Sequence, residues 1–132
     1  MESCKIMVKG IVQYNDRYLL VEKWYDDRIS DPYQWEFIDG WLEYGEDPEK
    51  GVLRLVEENA GIQAEVSKPL YTWSYMVGET WNIGIAYHCI ASDEEVILSE
   101  ELNNHKWVTR DEFEQYIMNK NMLADLNKTD LW

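Results

Sequence analysis

Basic residues are scarce in this sequence of 132 residues, and their scarcity limits the partners of the protein. Lysine and arginine together number 12, against 26 aspartates and glutamates, so the formal net charge is −14. A chain this acidic is repelled by phosphate backbones, and we therefore expect no binding to DNA or RNA. A small phosphorylated ligand remains compatible with this charge if a divalent cation bridges the two.

Long apolar segments and cysteines are scarce as well. No segment approaches the roughly 20 apolar residues that cross a bilayer, so we expect no membrane-spanning helix. The first residues lack a basic region followed by an apolar one, which predicts no signal peptide. The two cysteines, Cys4 and Cys89, have no neighbour at metal-ligand spacing. They form either a disulfide or, as we expect, two buried free thiols in a cytoplasmic protein.

The sequence nevertheless has enough apolar residues to form a core. Hydrophobic residues make up 45% of the chain and aromatic residues 14%, including 7 tryptophans and 9 tyrosines. We find no internal repeat, no low-complexity segment and no linker rich in proline, glycine or serine. Length and composition therefore predict one domain over residues 1–132.

Apolar periodicity and turn residues predict alternating strands and helices. The predicted strands cover residues 5–14, 18–22, 35–37, 62–75, 80–91 and 106–108. The predicted helices cover residues 48–60, 110–118 and 122–126. The first helix has Asp47 as its N-cap and Pro48 at its first position, and Gly61 ends it. Mixed strands with separated helices predict an α/β/α sandwich, with a mixed sheet between helices.

A pattern of glycine, glutamate and arginine covers residues 40–62. Its fixed members are Gly40, Glu46, Arg54, Val56, Glu58, Gly61 and Ile62. The pattern resembles the Nudix box, G-x5-E-x7-R-E-U-x-E-E-x-G-U with U an aliphatic residue. This box is the signature of MutT-like hydrolases that act on nucleoside diphosphates linked to another group. Seven of its nine fixed positions match without a gap, and the resemblance implies a Nudix fold for most of the chain.

The two positions that differ are the central departure from the family. Cleaving a phosphoanhydride needs a divalent cation, and Mg²⁺ prefers carboxylate oxygens. Positions 55, 58 and 59 share a helix face by their spacing, and in the family all three are glutamates that hold the catalytic metals. Here only Glu58 keeps the carboxylate. Leu55 offers no ligand, and Asn59 offers one neutral carbonyl oxygen.

A helical projection predicts which side of residues 52–60 meets the core. The core stripe consists of Val52, Leu53, Val56 and Ala60. Arg54 and Glu58 fall opposite this stripe and are expected to face the cleft. Leu55 falls well off the stripe beside Glu58, so it puts an apolar side chain where the family has a carboxylate.

The resemblance also implies metal ligands outside the helix. The family often uses the carbonyl of the first box glycine, here Gly40, together with a later acidic residue. Our candidate for that residue is Glu101, and Glu100 is the alternative. With Glu58 and the weaker oxygen of Asn59, these groups predict a site for one Mg²⁺ or Mn²⁺ rather than for several metals.

The loop before the helix contains two further candidates. Glu46 resembles the family's loop glutamate, which pairs with the box arginine, here Arg54, and we assign both a scaffolding role in the catalytic site. Asp39 replaces a glycine that the family often carries before the box. It is either an additional carboxylate near the metal or a turn residue that bonds its own backbone.

Several aromatic residues are candidates for stacking on a nucleobase, because an aromatic face accepts any base. The predicted substrate-binding residues are Trp73, Tyr75 and Trp81, which otherwise pack within a strand hairpin. Further aromatic residues precede the box, namely Trp24, Tyr25 and Tyr33. They line either a cleft or a contact between two copies of the chain in a homodimer.

Two functions are compatible with this pattern. The resemblance implies a metal-dependent Nudix hydrolase that cleaves a phosphoanhydride in a nucleotide-linked substrate. The loss of two carboxylates predicts that its activity is weak or altered. The alternative is an inactive module on the same scaffold, which binds a nucleotide or a protein partner without turnover.

Overall fold

The computed structural model describes residues 3–24 and 34–129. Its strands are β1 (Ser3–Tyr14), β2 (Arg17–Lys23), β3 (Trp35–Glu36), β4 (Ile38–Trp41), β5 (Ala64–Val77), β6 (Thr80–Ala91) and β7 (Leu102–Val108). Its helices are α1 (Pro48–Ala60), α2 (Phe113–Tyr116) and α3 (Lys120–Asn127), and a 3₁₀ turn at Arg110–Glu112 precedes α2. In the part of the chain that is described, no helix is long and apolar enough to cross a membrane.

The strands form one mixed sheet in which the partners of β1 and β2 change along their length. Residues 13–14 of β1 pair with residues 17–18 of β2 at the hairpin turn. Farther from the turn, residues 7–10 of β1 pair with β4, and residues 21–22 of β2 pair with β3. The other edge of β2 pairs with β7 from Tyr18 to Lys23. On its other side β1 runs parallel to β6, which in turn pairs with β5. The strand β4 thus lies beside β1 where β2 has turned to other partners.

Two apolar cores lie on opposite faces of the sheet. One contains Val52, Leu55, Val56 and Ala60 of α1. The other contains Phe113, Ile117 and Leu126 from the C-terminal helical region. Alternate residues of β2 divide between them, with Leu19 in the first core and Leu20 in the second. This arrangement confirms the predicted α/β/α sandwich with a mixed sheet between helices.

The capping residues define α1 as the sequence predicts. The carboxylate of Asp47 accepts hydrogen bonds from the backbone N–H groups of Glu49 and Lys50. Gly61 ends the helix with φ = 67°, a left-handed conformation that costs glycine little. Its N–H donates to the carbonyl of Glu57 at 2.8 Å. Local chemistry therefore fixes both ends of the helix that carries the box.

Other sequence predictions need correction. The strand β4 was not predicted, because its residues Ile38–Trp41 become a strand only by pairing with β1. Of the two alternatives for Asp39, the turn residue is therefore wrong, since this residue pairs with Lys9 across the two strands. The second helix ends at Tyr116 rather than at residue 118. Cys4 is exposed, whereas Cys89 is buried as expected.

Candidate functional site

A cavity of about 1310 Å³ lies between α1, β4, the end of β2 and residues 99–102. Four carboxylates line it, from Asp39, Glu58, Glu100 and Glu101. The single cationic side chain among its described lining residues is Lys23. Much of the remaining wall is apolar or aromatic, formed by Met7, Val21, Trp24, Phe37, Ile38, Trp41, Leu55 and Leu102. The cavity therefore combines an acidic group of side chains with apolar walls, as ligand sites commonly do.

All four residues predicted to bind metal line this cavity. They are Gly40 on β4, Glu58 and Asn59 at the end of α1, and Glu101 just before β7. These residues are up to 61 positions apart in the sequence (101 minus 40) and meet because β4 and residues 99–102 both pack beside α1. Glu100, the alternative to Glu101, lines the cavity as well.

The close approach of α1 to β4 explains the position of Leu55. A β-carbon at residue 40 would lie only 2.7 Å from the Cδ2 atom of Leu55, so any other residue there would displace the Leu55 side chain from this position. Leu55 is 7% exposed and belongs to the core, while Leu53 is only partly buried. The prediction that Leu55 lies off the core stripe is therefore wrong. It nevertheless lines the cavity, where it contributes apolar surface beside Gly40.

The predicted ion pair between Glu46 and Arg54 is present. The Nε and Nη2 atoms of Arg54 donate to the two carboxylate oxygens of Glu46 at 2.8 and 2.9 Å. Nη2 also donates to the carbonyl of Trp41 at 3.2 Å, and Nη1 donates to Glu58 at 3.3 Å. Arg54 therefore links the loop, the end of β4 and the candidate metal ligand Glu58.

Protonation of Glu46 should make the fold sensitive to acid. Hydrogen bonds from Arg54 lower the pKa of Glu46 from its ordinary value of 4.5 to about 2. Because the pKa is lower in the folded state, this group stabilises the fold above the unfolded pKa and ceases to do so as the pH falls toward 2. We expect the free energy of unfolding of Glu46→Gln, measured by chemical denaturation, to change less between pH 4.5 and 2 than that of the wild-type protein. The control variant Glu57→Gln, at an exposed position of α1, should keep the wild-type change of unfolding free energy with pH. The same pH dependence in both variants would contradict the role of Glu46.

A pair of carboxylates shares Lys23 at one wall of the cavity. The ammonium group of Lys23 lies 2.5 Å from a carboxylate oxygen of Glu36 and 3.3 Å from one of Asp39. Burial raises the pKa of Glu36, and the nearby charge of Asp39 raises it further. The pKa of Lys23 is raised because the attraction of Asp39 and Glu36 outweighs the effect of burial. Asp39 thus already has a cationic partner within the chain, which it shares with Glu36.

Comparison with known proteins identifies the family of this chain. A family model described as the NUDIX domain matches residues 7–127, which is most of the sequence. The chain belongs to the Nudix family. The nucleoside triphosphatase NudI of Enterobacter sp. (strain 638) is 30% identical over 127 residues, covering 88% of this chain and 89% of that protein. NudI of Escherichia coli O139:H28 is 29% identical over 126 residues, covering 87% and 89%.

Solved structures agree with the Nudix fold. A MutT NUDIX hydrolase from Burkholderia pseudomallei superposes with a TM-score of 0.77 and 19% identity, covering 97% of this chain and all of that one. A Caenorhabditis elegans Ap4A hydrolase in a binary complex also gives a TM-score of 0.77, with 19% identity and coverage of 94% and 93%. At this level of identity the likeness shows the fold alone.

The second departure from the Nudix box, Asn59, has an evident structural use. Its side-chain amide donates to the carbonyl of Leu55 at 2.9 Å, and its carbonyl oxygen accepts a hydrogen bond from the Ser99 hydroxyl at 3.2 Å. The backbone N–H of Ser99 donates to the carbonyl of Asn59 at 3.0 Å. Asn59 therefore fastens residues 99–101, including Glu100 and Glu101, to the end of the Nudix helix.

The sequence predicts that carboxylates of this cavity bind a hard cation such as Mg²⁺. Among the described residues, no three side chains of histidine, cysteine, aspartate or glutamate form a ready metal site. Glu58 and Glu101 nevertheless face one cavity, and Mg²⁺ commonly binds through one or two carboxylates and the phosphates of a substrate. Oxygen groups of the kind that Mg²⁺ binds are therefore present in this cavity.

The aromatic residues that the sequence nominated for base stacking lie elsewhere. Trp73, Tyr75 and Trp81 belong to the β5–β6 hairpin, and none is among the described residues that line the cavity. The indole of Trp73 lies directly against Gly84, and the Lys9 ammonium lies 4.7 Å from the centre of its ring. The structure therefore does not bring these residues to the site.

The cavity contains two other tryptophans, of which Trp24 was a candidate from the sequence but Trp41 was not. Trp24 and Trp41 line it and are 52% and 43% exposed. Trp24 lines the cavity, as one of its two alternatives predicts, whereas Tyr25 and Tyr33 lie outside the described residues. The signal for Trp41 was its place directly after Gly40 in the box.

Proposed function

We propose that this chain is a Nudix hydrolase of weak or altered activity that cleaves a phosphoanhydride bond in a nucleotide with the help of one divalent cation. The observation that carries the proposal is the cavity that Glu58, Glu101 and the box glycine Gly40 line together. We further propose that residues 1–132 act as a single Nudix domain in the cytoplasm. Nucleoside triphosphates are the first substrates to test, because the NudI relatives are nucleoside triphosphatases.

Mg²⁺ or Mn²⁺ would be held by Glu58 and Glu101, with the carbonyl oxygens of Gly40 and Asn59 as neutral candidates. When bound, such a cation neutralises phosphate charge and lowers the pKa of a water molecule. The donor set supports this assignment because all of these ligands are oxygens, which hard cations prefer.

The chain's own residues would hold the substrate and orient the carboxylates. Arg54 is fixed by the two hydrogen bonds that it donates to Glu46, and it also donates to Glu58, which limits the positions of that carboxylate. Asn59 holds the segment that carries Glu101. The apolar Leu55 leaves position 55 without a carboxylate for proton transfer, and this loss supports slow turnover.

The decisive assay measures phosphate or pyrophosphate release from nucleoside triphosphates, ADP-ribose and dinucleoside polyphosphates. We expect turnover with Mg²⁺ or Mn²⁺, its loss with a chelator, and a decrease of at least about tenfold in Glu58→Gln. The matched control is Glu57→Gln, which removes a neighbouring exposed carboxylate that does not line the cavity and should stay within about twofold of wild type. Equal activity of both variants would refute the role of Glu58.

A second candidate function is nucleotide or protein binding without turnover. The observation that favours it is that both residues that replace the box glutamates have structural roles. Leu55 belongs to the core, and Asn59 accepts a hydrogen bond from Ser99. Folded protein that binds a nucleotide in calorimetry but hydrolyses no member of the panel would support this function over the first.

A further inference from the structure

We propose that Trp24 and Trp41 form the nucleobase subsite of the cavity, in which the base of a nucleotide stacks on their indole rings. The inference rests on the proposed nucleotide chemistry of the site and assigns its base-binding part. It replaces the β5–β6 hairpin residues, which the structure does not bring to the cavity.

The position of Trp41 connects it to both the box and the apolar wall. It follows Gly40 on β4 and pairs with Met7 of β1, which also lines the cavity. Its backbone carbonyl is held by Arg54, the residue that also contacts Glu58. The backbone at Trp41 is therefore linked through a single arginine to the carboxylate expected to act near the phosphates.

The exposure of Trp41 leaves its ring accessible to a ligand. Its side chain is 43% exposed, although the Lys5 ammonium lies 5.4 Å from the ring centre. Trp73 differs, because its indole lies against the backbone at Gly84 and also contacts the Lys9 ammonium. Trp41 is therefore available for stacking in a way that Trp73 is not.

Trp24 adds a second accessible indole from another strand. It directly follows Lys23 at the end of β2, lines the same cavity and is 52% exposed. Large apolar groups exposed within a concave site commonly mark ligand contacts. Because every base offers an aromatic face, two tryptophans would bind nucleobases broadly, without selecting one by hydrogen bonds.

The test compares ligands that have no anhydride to cleave, so it is independent of turnover. Calorimetry with Mg²⁺ would measure the binding of the four common nucleoside monophosphates and of ribose 5-phosphate, which lacks a base. One stacking side chain contributes about 5- to 150-fold to affinity. We expect Trp24→Ala and Trp41→Ala each to weaken nucleotide binding by about tenfold and to leave ribose 5-phosphate binding unchanged.

Trp81 provides the matched control, since it is 49% exposed but does not line the cavity. Trp81→Ala should bind nucleotides like wild type, and Trp41→Phe should keep most of the affinity because it keeps an aromatic face. The subsite is overturned if Trp24→Ala and Trp41→Ala bind like wild type, if Trp81→Ala is the variant that loses binding, or if the folded wild-type protein binds no nucleoside monophosphate. Failure of the hydrolase proposal would instead show as intact monophosphate binding without cleavage of any anhydride.

Discussion

Replacing Leu55 with glutamate should raise metal-dependent nucleotide hydrolysis by about 10²- to 10⁴-fold, the contribution typical of a positioned acid–base group. Leu55 lines the cavity beside Gly40 and one helical turn before Glu58. A glutamate there would follow a similar path from the backbone and bring a carboxylate to the wall that already carries Glu58. The measurement is kcat/KM for the best substrate of the panel, at a fixed concentration of Mg²⁺.

The neutral variant Leu55→Gln separates charge from shape. It has nearly the same size as Leu55→Glu and places a polar group at the same buried position, but it supplies no anionic ligand or base. We expect both variants to lose some stability, because Leu55 is a core residue, and only the glutamate variant to gain activity. A folded Leu55→Glu protein that is no more active than wild type would count against a weak hydrolase and favour a module that only binds.

Restoring the other missing carboxylate, at position 59, should be less effective than restoring the one at position 55. Asn59 donates to the Leu55 carbonyl and accepts from Ser99, and Ser99 is followed directly by the acidic residues at 100 and 101. Glutamate at position 59 would lose the donated hydrogen bond while adding a charge. The restoration should therefore begin at position 55, with Asn59→Glu added to that variant afterwards.

Local signals made much of the fold predictable from the sequence. The hairpin turn at residues 15–16, the N-cap Asp47 and the stop at Gly61 each act within a few residues of the chain. The Nudix box likewise identified Gly40, Glu58 and the Glu46–Arg54 pair, since its spacing reflects one helix and its preceding loop. Such features depend on short-range chemistry that a sequence displays directly.

Features that depend on distant strands were not predictable in the same way. The strand β4 exists through its pairing with β1, and this pairing also brings Asp39 opposite Lys9. Leu55 is buried because Gly40 lets α1 approach that strand, which a helical projection of α1 alone cannot show. The tryptophans that line the cavity were not predictable either, because the cavity forms where distant segments pack together. The alternation of residues in the β5–β6 hairpin does not indicate which tryptophan reaches it.

Lys23→Met should lower the free energy of unfolding at pH 7 by about 2 kcal/mol. Removing one partner of a fully buried ion pair costs about 3–5 kcal/mol, and the cost is smaller here because the Lys23 side chain is 48% exposed. The variant would leave Glu36 and Asp39 close together without the ammonium that lies between them in the wild-type protein. Denaturant titration at several pH values would measure the effect.

The loss of unfolding free energy in Lys23→Met should become smaller as the pH falls. This pH dependence distinguishes the effect of the Lys23 charge from the effect of its packing. Burial and the charge of Asp39 already raise the pKa of Glu36, and removing Lys23 takes away a charge that lowers it. A group whose folded-state pKa is raised stabilises the fold below its unfolded pKa, about 4.3 for glutamate, and loses that effect as the pH rises through the folded pKa. Lys23→Arg should therefore resemble wild type, and Glu36→Gln should recover stability in the Lys23→Met background. If Lys23→Met is destabilised by the same amount at pH 7 and pH 4.5, Lys23 stabilises the fold through its aliphatic stem and not through its charge.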